Sequence, residues 1–234
     1  MSTKPPTQAI AAPHHVNLNV TLTATAVTRP QLVYQHMHAA ALFSRQVEAL
    51  ESQHAGPALG NFFEDIFANA SACVTSAAAA LEAYANQIFA DRGKHFAAHD
   101  QKLLDRLWLE WAERHTALDK FQLALELKSA PPLDRGASPA QDIAALFALR
   151  NALVHFKPQW SDDRAEHDRL STRLNTVLQR TPFHGASSPL FPFAWATHAS
   201  TAWAVKSSIA FVDLMTTELG LDAKLATKFK AFKY

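Results

Sequence analysis

An alanine-rich segment, residues 58–93, constrains the fold more than any other part of the sequence. Alanine is the strongest helix former and glycine one of the weakest, and the segment carries glycine only near its ends, at Gly60 and Gly93. The segment therefore predicts one helix of roughly thirty residues that ends at Gly93. Its alanine-rich middle would let other helices approach closely, so the predicted fold class is all-α, a helical bundle.

The chain from Pro30 onward carries further helix signals. Pro30 fits a helix start, and a Gly-Pro pair at Gly56 ends that first helix. Ser138, with Gln141 three residues later, is typical of a helix N-terminus, and this helix should continue to Pro158. The bundle domain is expected to span residues 30–220. Its further helices are predicted at 101–111, 116–128, 162–179 and 196–218, and Gly220 closes the last one. Residues 221–234 are expected to form a basic, solvated C-terminal tail.

An N-terminal arm, residues 1–29, has a different pattern. Residues 16–28 have the sequence VNLNVTLTATAVT, in which apolar residues alternate with Asn and Thr. This period of two, with β-branched residues, predicts one long β-strand. A lone strand leaves its backbone N–H and C=O groups without hydrogen-bond partners. The same strand of a second copy of the chain is the best candidate to pair with it. The sequence therefore predicts a homodimer, with this strand as the expected contact between the two copies.

The charge balance limits what such a bundle can bind. Lys and Arg number 22 against 21 Asp and Glu, so RNA binding would need a local basic patch. Phosphate-loop and nucleophile-elbow motifs do not occur in the sequence, and no cofactor is expected. His95 and His99 are four residues apart, but no cysteine or well-spaced carboxylate completes a zinc set, so no metal site is expected.

Two features bear on the compartment. The single cysteine, Cys73, has no partner for an internal disulfide and fits a reducing environment. The first residues lack an apolar signal core, and the alanine-rich segment is interrupted by Asn69, Glu82 and Asn86. The sequence therefore predicts a cytoplasmic protein that does not cross a membrane.

The stretch ALRNALVHFKP, residues 148–158, carries the candidate functional residues. Asn151 and His155 are four residues apart and share one helix face, whereas Arg150 lies about 140° away from His155 and must reach around the helix. His155 is expected in the last helical turn, where exposed carbonyls favour a protonated ring. An arginine that steadies a phosphate and a histidine that moves a proton together suit a phosphodiester substrate.

A structural reading of the same residues stays open beside the catalytic one. An arginine near a helix end and a histidine at its C-terminus are ordinary stabilising devices, and Pro158 ends the helix in either case. Glu82 lies on the alanine-rich helix, where a buried carboxylate would want a cation, and Arg150 is the natural partner. Alternatively, Glu82 is an exposed residue on a polar helix face.

The order of these elements resembles the HEPN superfamily. The segment RNALVH, with Arg150, Asn151 and His155, is similar to its R-x4-6-H motif, which often has Asn directly after Arg. A long helix bearing Glu82 before the motif helix fits the same order, and the resemblance covers residues 30–218. In place of the x-Tyr extension of one toxin subgroup, this chain has Phe156 and Lys157 after the histidine.

The resemblance implies a metal-independent endoribonuclease that works as a dimer, with the motifs of two protomers meeting in one cleft. His155 would be the general base or acid at the ribose 2′-hydroxyl, and Arg150 would hold the scissile phosphate. Asn151 would orient the His155 ring or the phosphate. Glu82 and Lys157 are the expected binding residues beside them. Because many superfamily members are non-catalytic, the resemblance equally allows a helical interaction or scaffold module in which Arg150 and Glu82 form a structural ion pair.

Overall fold

The computed structural model describes residues 30, 32–54, 56, 59–160 and 162–234, which form an all-α protein without a β-strand in these ranges. The predicted strand at residues 16–28 lies outside the described residues. The helices are α1 (Val33–Gln53), α2 (Phe62–Ala90), α3 (Arg92–His95), α4 (Gln101–Glu110), α5 (Ala117–Leu127), α6 (Ala140–Val154), α7 (Ala165–Leu174), α8 (His198–Glu218) and α9 (Lys224–Phe229). A 3₁₀ turn at Ala112–Arg114 and a π turn at Leu190–Ala194 complete them.

The long helix α2 is the centre of the bundle. The helix of roughly thirty residues predicted from the alanine-rich segment is confirmed, but it ends at Ala90, and Gly93 lies in α3. Helix α2 packs against α1, α5, α6 and α8. Thirteen of its 29 residues are buried, and five of those are alanines, so neighbouring backbones can approach it on several sides. By length and composition α2 could also cross a membrane, a criterion that the central helix of a protein core meets as well.

Helix ends follow local capping chemistry where the sequence supplies it. The Thr116 side chain accepts a hydrogen bond from the backbone N–H of Asp119 at the start of α5, and Thr197 does the same for Ser200 at the start of α8. Gly220 closes α8 as predicted, because its φ of +60° is a left-handed conformation that glycine adopts without a Cβ clash.

The predicted cap of α6 is wrong in detail. The helix begins at Ala140, and the Ser138 hydroxyl donates to the carboxylate of Asp142 instead of capping a backbone N–H. At the other end α6 stops at Val154, short of Pro158, and His155 is the non-helical residue that follows it. Pro158 has no backbone N–H to donate to the Val154 carbonyl oxygen, so the helix cannot continue through this proline.

The C-terminal segment, predicted as a solvated basic tail at residues 221–234, belongs to the bundle. Residues 224–229 form α9, in which Phe229 is fully buried and Ala226 nearly so. The Phe229 ring contacts Tyr34 of α1 and Phe232. The lysines of this segment point outward while its aromatic residues pack inward, and burial of apolar area outweighs the exposed charges.

A polar contact joins α1 to the start of α8. The backbone N–H of His198 donates to Glu51 Oε1 at 3.0 Å, and His198 Nδ1 lies 3.2 Å from the Ser44 carbonyl oxygen. Burial raises the pKa of Glu51 above its usual value, although the hydrogen bond from His198 acts in the opposite direction. The folded chain therefore binds this proton more tightly than the unfolded chain does, and stability falls as the pH rises through the window between the two pKa values.

Replacing Glu51 with glutamine should remove this pH dependence. Glutamine keeps an acceptor for the His198 N–H but carries no charge to desolvate, so the variant should gain stability over the wild type at neutral pH and not at about pH 4 and below. Urea denaturation of both proteins between these pH values measures the difference. Parallel stability curves would show that Glu51 does not titrate differently on folding.

Candidate functional site

Arg150 lies where α6 packs against α2. Its guanidinium donates a hydrogen bond to Glu82 Oε1, so the ion pair between these residues is present. The Arg150 side chain is 19% exposed and that of Glu82 45%, and the guanidinium also lies 5.8 Å from the centre of the Phe147 ring. The pair is therefore half-buried, and water still reaches one side of it.

A groove of about 410 Å³ opens beside this ion pair. Arg150, Asn151, Thr116 and Glu82 line it, together with Arg173 of α7. The Arg173 guanidinium donates to the Ala144 carbonyl oxygen at 3.0 Å while its side chain remains exposed. Two guanidinium groups thus lie along one groove, which is the arrangement that anionic groups such as phosphates prefer.

His155 opens into a different cavity. This cavity, about 370 Å³, is lined by Asn151, His155 and Lys157 of the motif segment and by Glu166 and His167 of α7. His155 is exposed, and its ring forms no hydrogen bond within the described part of the chain. A ring with both nitrogens free can exchange a proton with a bound ligand.

The motif residues therefore do not meet within one chain. The predicted reach of Arg150 around the helix toward His155 is not observed, because its guanidinium extends the other way to Glu82. Asn151 joins the two cavities, since its exposed side chain lines both. The face predicted for Asn151 and His155 is confirmed in that both line the same cavity.

Helix α7 supplies the neighbours that the sequence did not indicate. His167 Nε2 lies 3.0 Å from the Lys157 carbonyl oxygen, and the His167 backbone N–H donates to Gln159 Oε1 at 3.1 Å. These contacts fold the segment after α6 back onto α7. No spacing in the sequence links Arg173, Glu166 or His167 to the motif, because only the packing of α7 against α6 brings them there.

Other chemistry-bearing residues lie apart from this site. His99 Nε2 is 2.7 Å from the Leu127 carbonyl oxygen, and His95 ends α3, so the two do not share a helix. In the described ranges no three His, Cys, Asp or Glu side chains come together as a metal site would require. Cys73 is fully buried, and burial raises the pKa of its thiol far above the usual value, which suits a structural residue.

Compared with known proteins, the chain matches no family model, no curated sequence and no solved structure. Its function must therefore be argued from the two cavities on either side of Asn151.

Proposed function

We propose that the chain is a HEPN-like, metal-independent endoribonuclease that acts as a homodimer. One observation carries the proposal. His155 is exposed and lines a cavity, with an amide from Asn151 and an ammonium from Lys157 lining the same space. A histidine, a hydrogen-bonding amide and a cation around one cavity can bind a phosphodiester and move its proton.

The reaction needs a base, an acid and a cation. The base takes the proton of the ribose 2′-hydroxyl, the O2′ atom forms a bond to phosphorus, and the bond from phosphorus to the 5′ oxygen breaks. The 5′ oxygen leaves with a proton from the acid, so the products are a 2′,3′-cyclic phosphate and a 5′-hydroxyl end. His155 serves as base or acid, and a guanidinium stabilises the charge on phosphorus oxygens.

The separation of Arg150 from His155 favours a dimeric site. In one chain these side chains open into different cavities. A second copy placed over this face of α6 would bring another His155 and another Arg150 to the same substrate, supplying both the base and the acid. Arg150 keeps donor groups for phosphate in that arrangement, because guanidinium has five N–H groups and Glu82 occupies few of them.

Incubation of mixed RNA with the full chain in EDTA tests this proposal. Cleavage in EDTA, with 2′,3′-cyclic phosphate and 5′-hydroxyl ends, is the expected result. Sedimentation under the same conditions should show a dimer, and dilution below the dissociation constant should abolish activity. Absence of cleavage at any protein concentration, or cleavage that requires Mg²⁺, would contradict the proposed reaction.

The contact between Arg150 and Glu82 favours a second candidate function. An ion pair between a guanidinium and a carboxylate at a helix–helix contact can stabilise the fold without any catalytic role. In that case the chain is a non-catalytic helical interaction module. The two candidates differ in what the ion pair does: in the nuclease it positions Arg150 for phosphate, and in the module it joins α6 to α2.

A double-mutant cycle with Arg150→Met and Glu82→Gln separates these roles. For a half-buried pair we expect a coupling energy of about 1 kcal/mol in urea denaturation. In the nuclease, Glu82→Gln also lowers RNA cleavage because Arg150 loses its fixed position. A loss of stability in Glu82→Gln without any change in a measurable cleavage rate would assign the pair to structure alone.

A further inference from the structure

A third cavity, about 400 Å³, lies next to the His155 site. Two phenylalanine rings, Phe156 and Phe193, line it, and His167 belongs to both this cavity and the His155 cavity. Phe156 directly follows His155 in the chain. The volume falls in the range of pockets that hold small organic groups. A substrate bound at His155 could therefore extend into this space.

The two phenylalanine rings are anchored on one side and open on the other. Phe156 is 47% exposed and packs against His167 and Phe191, with ring centres 5.5 and 6.1 Å away. Phe193 is 48% exposed and packs edge-to-face on Phe67 at 5.3 Å. Each ring is thus held by the bundle while about half of its surface remains free to stack on a planar ligand.

His184 also lines this cavity, and one of its ring nitrogens, the buried Nε2, has no hydrogen-bond partner among the described residues. The His184 ring lies parallel to Phe193, within 5°, and edge-on to Phe63. The His184 ring therefore packs against two phenylalanine rings, while its Nε2 atom lacks the hydrogen-bond partner that buried polar atoms normally have. A ligand with ring heteroatoms would provide that partner once the His184 ring turns this nitrogen toward the cavity.

The cavity also holds a cation. Arg164 lines it, and its guanidinium donates to the Phe191 carbonyl oxygen at 3.3 Å and lies 3.4 Å from a carboxylate oxygen of Asp168. Only part of its donor capacity is used in these contacts. Aromatic faces, a hydrogen-bonding nitrogen and a guanidinium in one space match a planar heterocycle attached to an anion.

We propose that this cavity binds an unpaired nucleobase of an RNA strand whose backbone passes His155. The inference rests on the proposed function and names the substrate class, single-stranded RNA with a base held between Phe156 and Phe193. Stacking on aromatic side chains is the general way in which proteins hold unpaired bases. His184 would bond the edge of the base, and Arg164 an adjoining phosphate.

Binding of an uncleavable strand tests the base pocket. The probe is a fluorescent, fully 2′-O-methylated oligonucleotide of about ten nucleotides, which has the length of a typical single-strand site and no 2′-hydroxyl to react. Its control is the same backbone with abasic residues. In anisotropy titrations of the full chain, the oligonucleotide with bases should bind more tightly than the abasic one.

Variants locate that difference in the cavity. Phe193→Leu keeps an apolar group on Phe67 and removes the stacking face, so affinity for the strand with bases should fall about 5- to 100-fold. Phe156→Leu should act in the same direction, and neither should change binding of the abasic strand. Tyr34→Leu is the matched control, because Tyr34 is 38% exposed and contacts the C-terminal segment of the bundle. Melting temperatures verify that each variant folds.

The outcomes separate this inference from the catalytic proposal. Equal binding of both strands by the wild type, or unchanged binding in both Phe variants, overturns the base pocket whether or not RNA is cleaved. Failure to bind either strand overturns it too and points to a protein as the partner of the exposed rings. A third outcome is a wild type that does not cleave RNA but still binds the strand with bases more tightly than the abasic strand, with the same preference in His155→Ala. That result supports the base pocket and removes the catalytic role of His155.

Discussion

Alanine in place of His155 is expected to lower the rate of RNA cleavage by about 10²- to 10⁴-fold, the usual contribution of a positioned general acid or base. The fold should not change, because the His155 ring is exposed and holds no other described residue by a hydrogen bond. Cleavage is measured in EDTA with the end groups of the products, and the melting temperature is measured on the same preparation.

A second histidine provides the matched control for this loss. His99 is also exposed but lies between α3 and α4, where its ring contacts the Leu127 carbonyl oxygen. His99→Ala should therefore cleave RNA like the wild type. If His155→Ala and the wild type cleave equally, His155 has no catalytic role. If both variants lose activity together, the loss is not specific to the motif.

Alanine in place of Phe229 is expected to destabilise the protein by about 3–5 kcal/mol, the cost of removing a fully buried aromatic side chain from a packed core. Phe229 is 0% exposed although it lies in the basic C-terminal segment, five residues before Tyr234. The lost burial of its ring and the cavity left against Tyr34 and Phe232 both contribute to the cost. Urea denaturation gives the free energy of unfolding.

Trp160→Ala is the comparison for an exposed aromatic residue. Its side chain is 83% exposed, so the change in unfolding free energy should stay within about 0.5 kcal/mol. A loss in Phe229→Ala no larger than this would mean that α9 does not pack on the bundle in solution. A large loss would establish that residues 224–229 belong to the core.

The helices could be predicted where a single segment carries the whole signal. Alanine content was enough for the existence and length of α2, though not for its end at Ala90, and Gly220 was enough for the end of α8. Prediction failed where a distant contact decides the outcome. The lysines near the C-terminus suggested a solvated tail, yet the ring of Phe229 finds an apolar surface on α1 that is not visible in the local sequence.

The same division holds for the candidate site. The sequence predicted that Asn151 and His155 share a face, since helical spacing alone sets the angle between them. It left open whether Arg150 reaches toward His155 or pairs with Glu82, because Arg150 can adopt many rotamers and the position of α2 selects among them. A short motif therefore identified the residues without showing which cavity each one enters.

By itself the sequence determined a helical bundle that contains one long alanine-rich helix, because backbone propensity and residue periodicity act within one segment. The tertiary structure alone decided that α7 brings Arg173 and His167 beside the motif and that Phe156 and Phe193, far apart in the chain, line one cavity. The physical reason is that helix formation depends on neighbours within about four residues, whereas a binding site depends on how helices pack against each other.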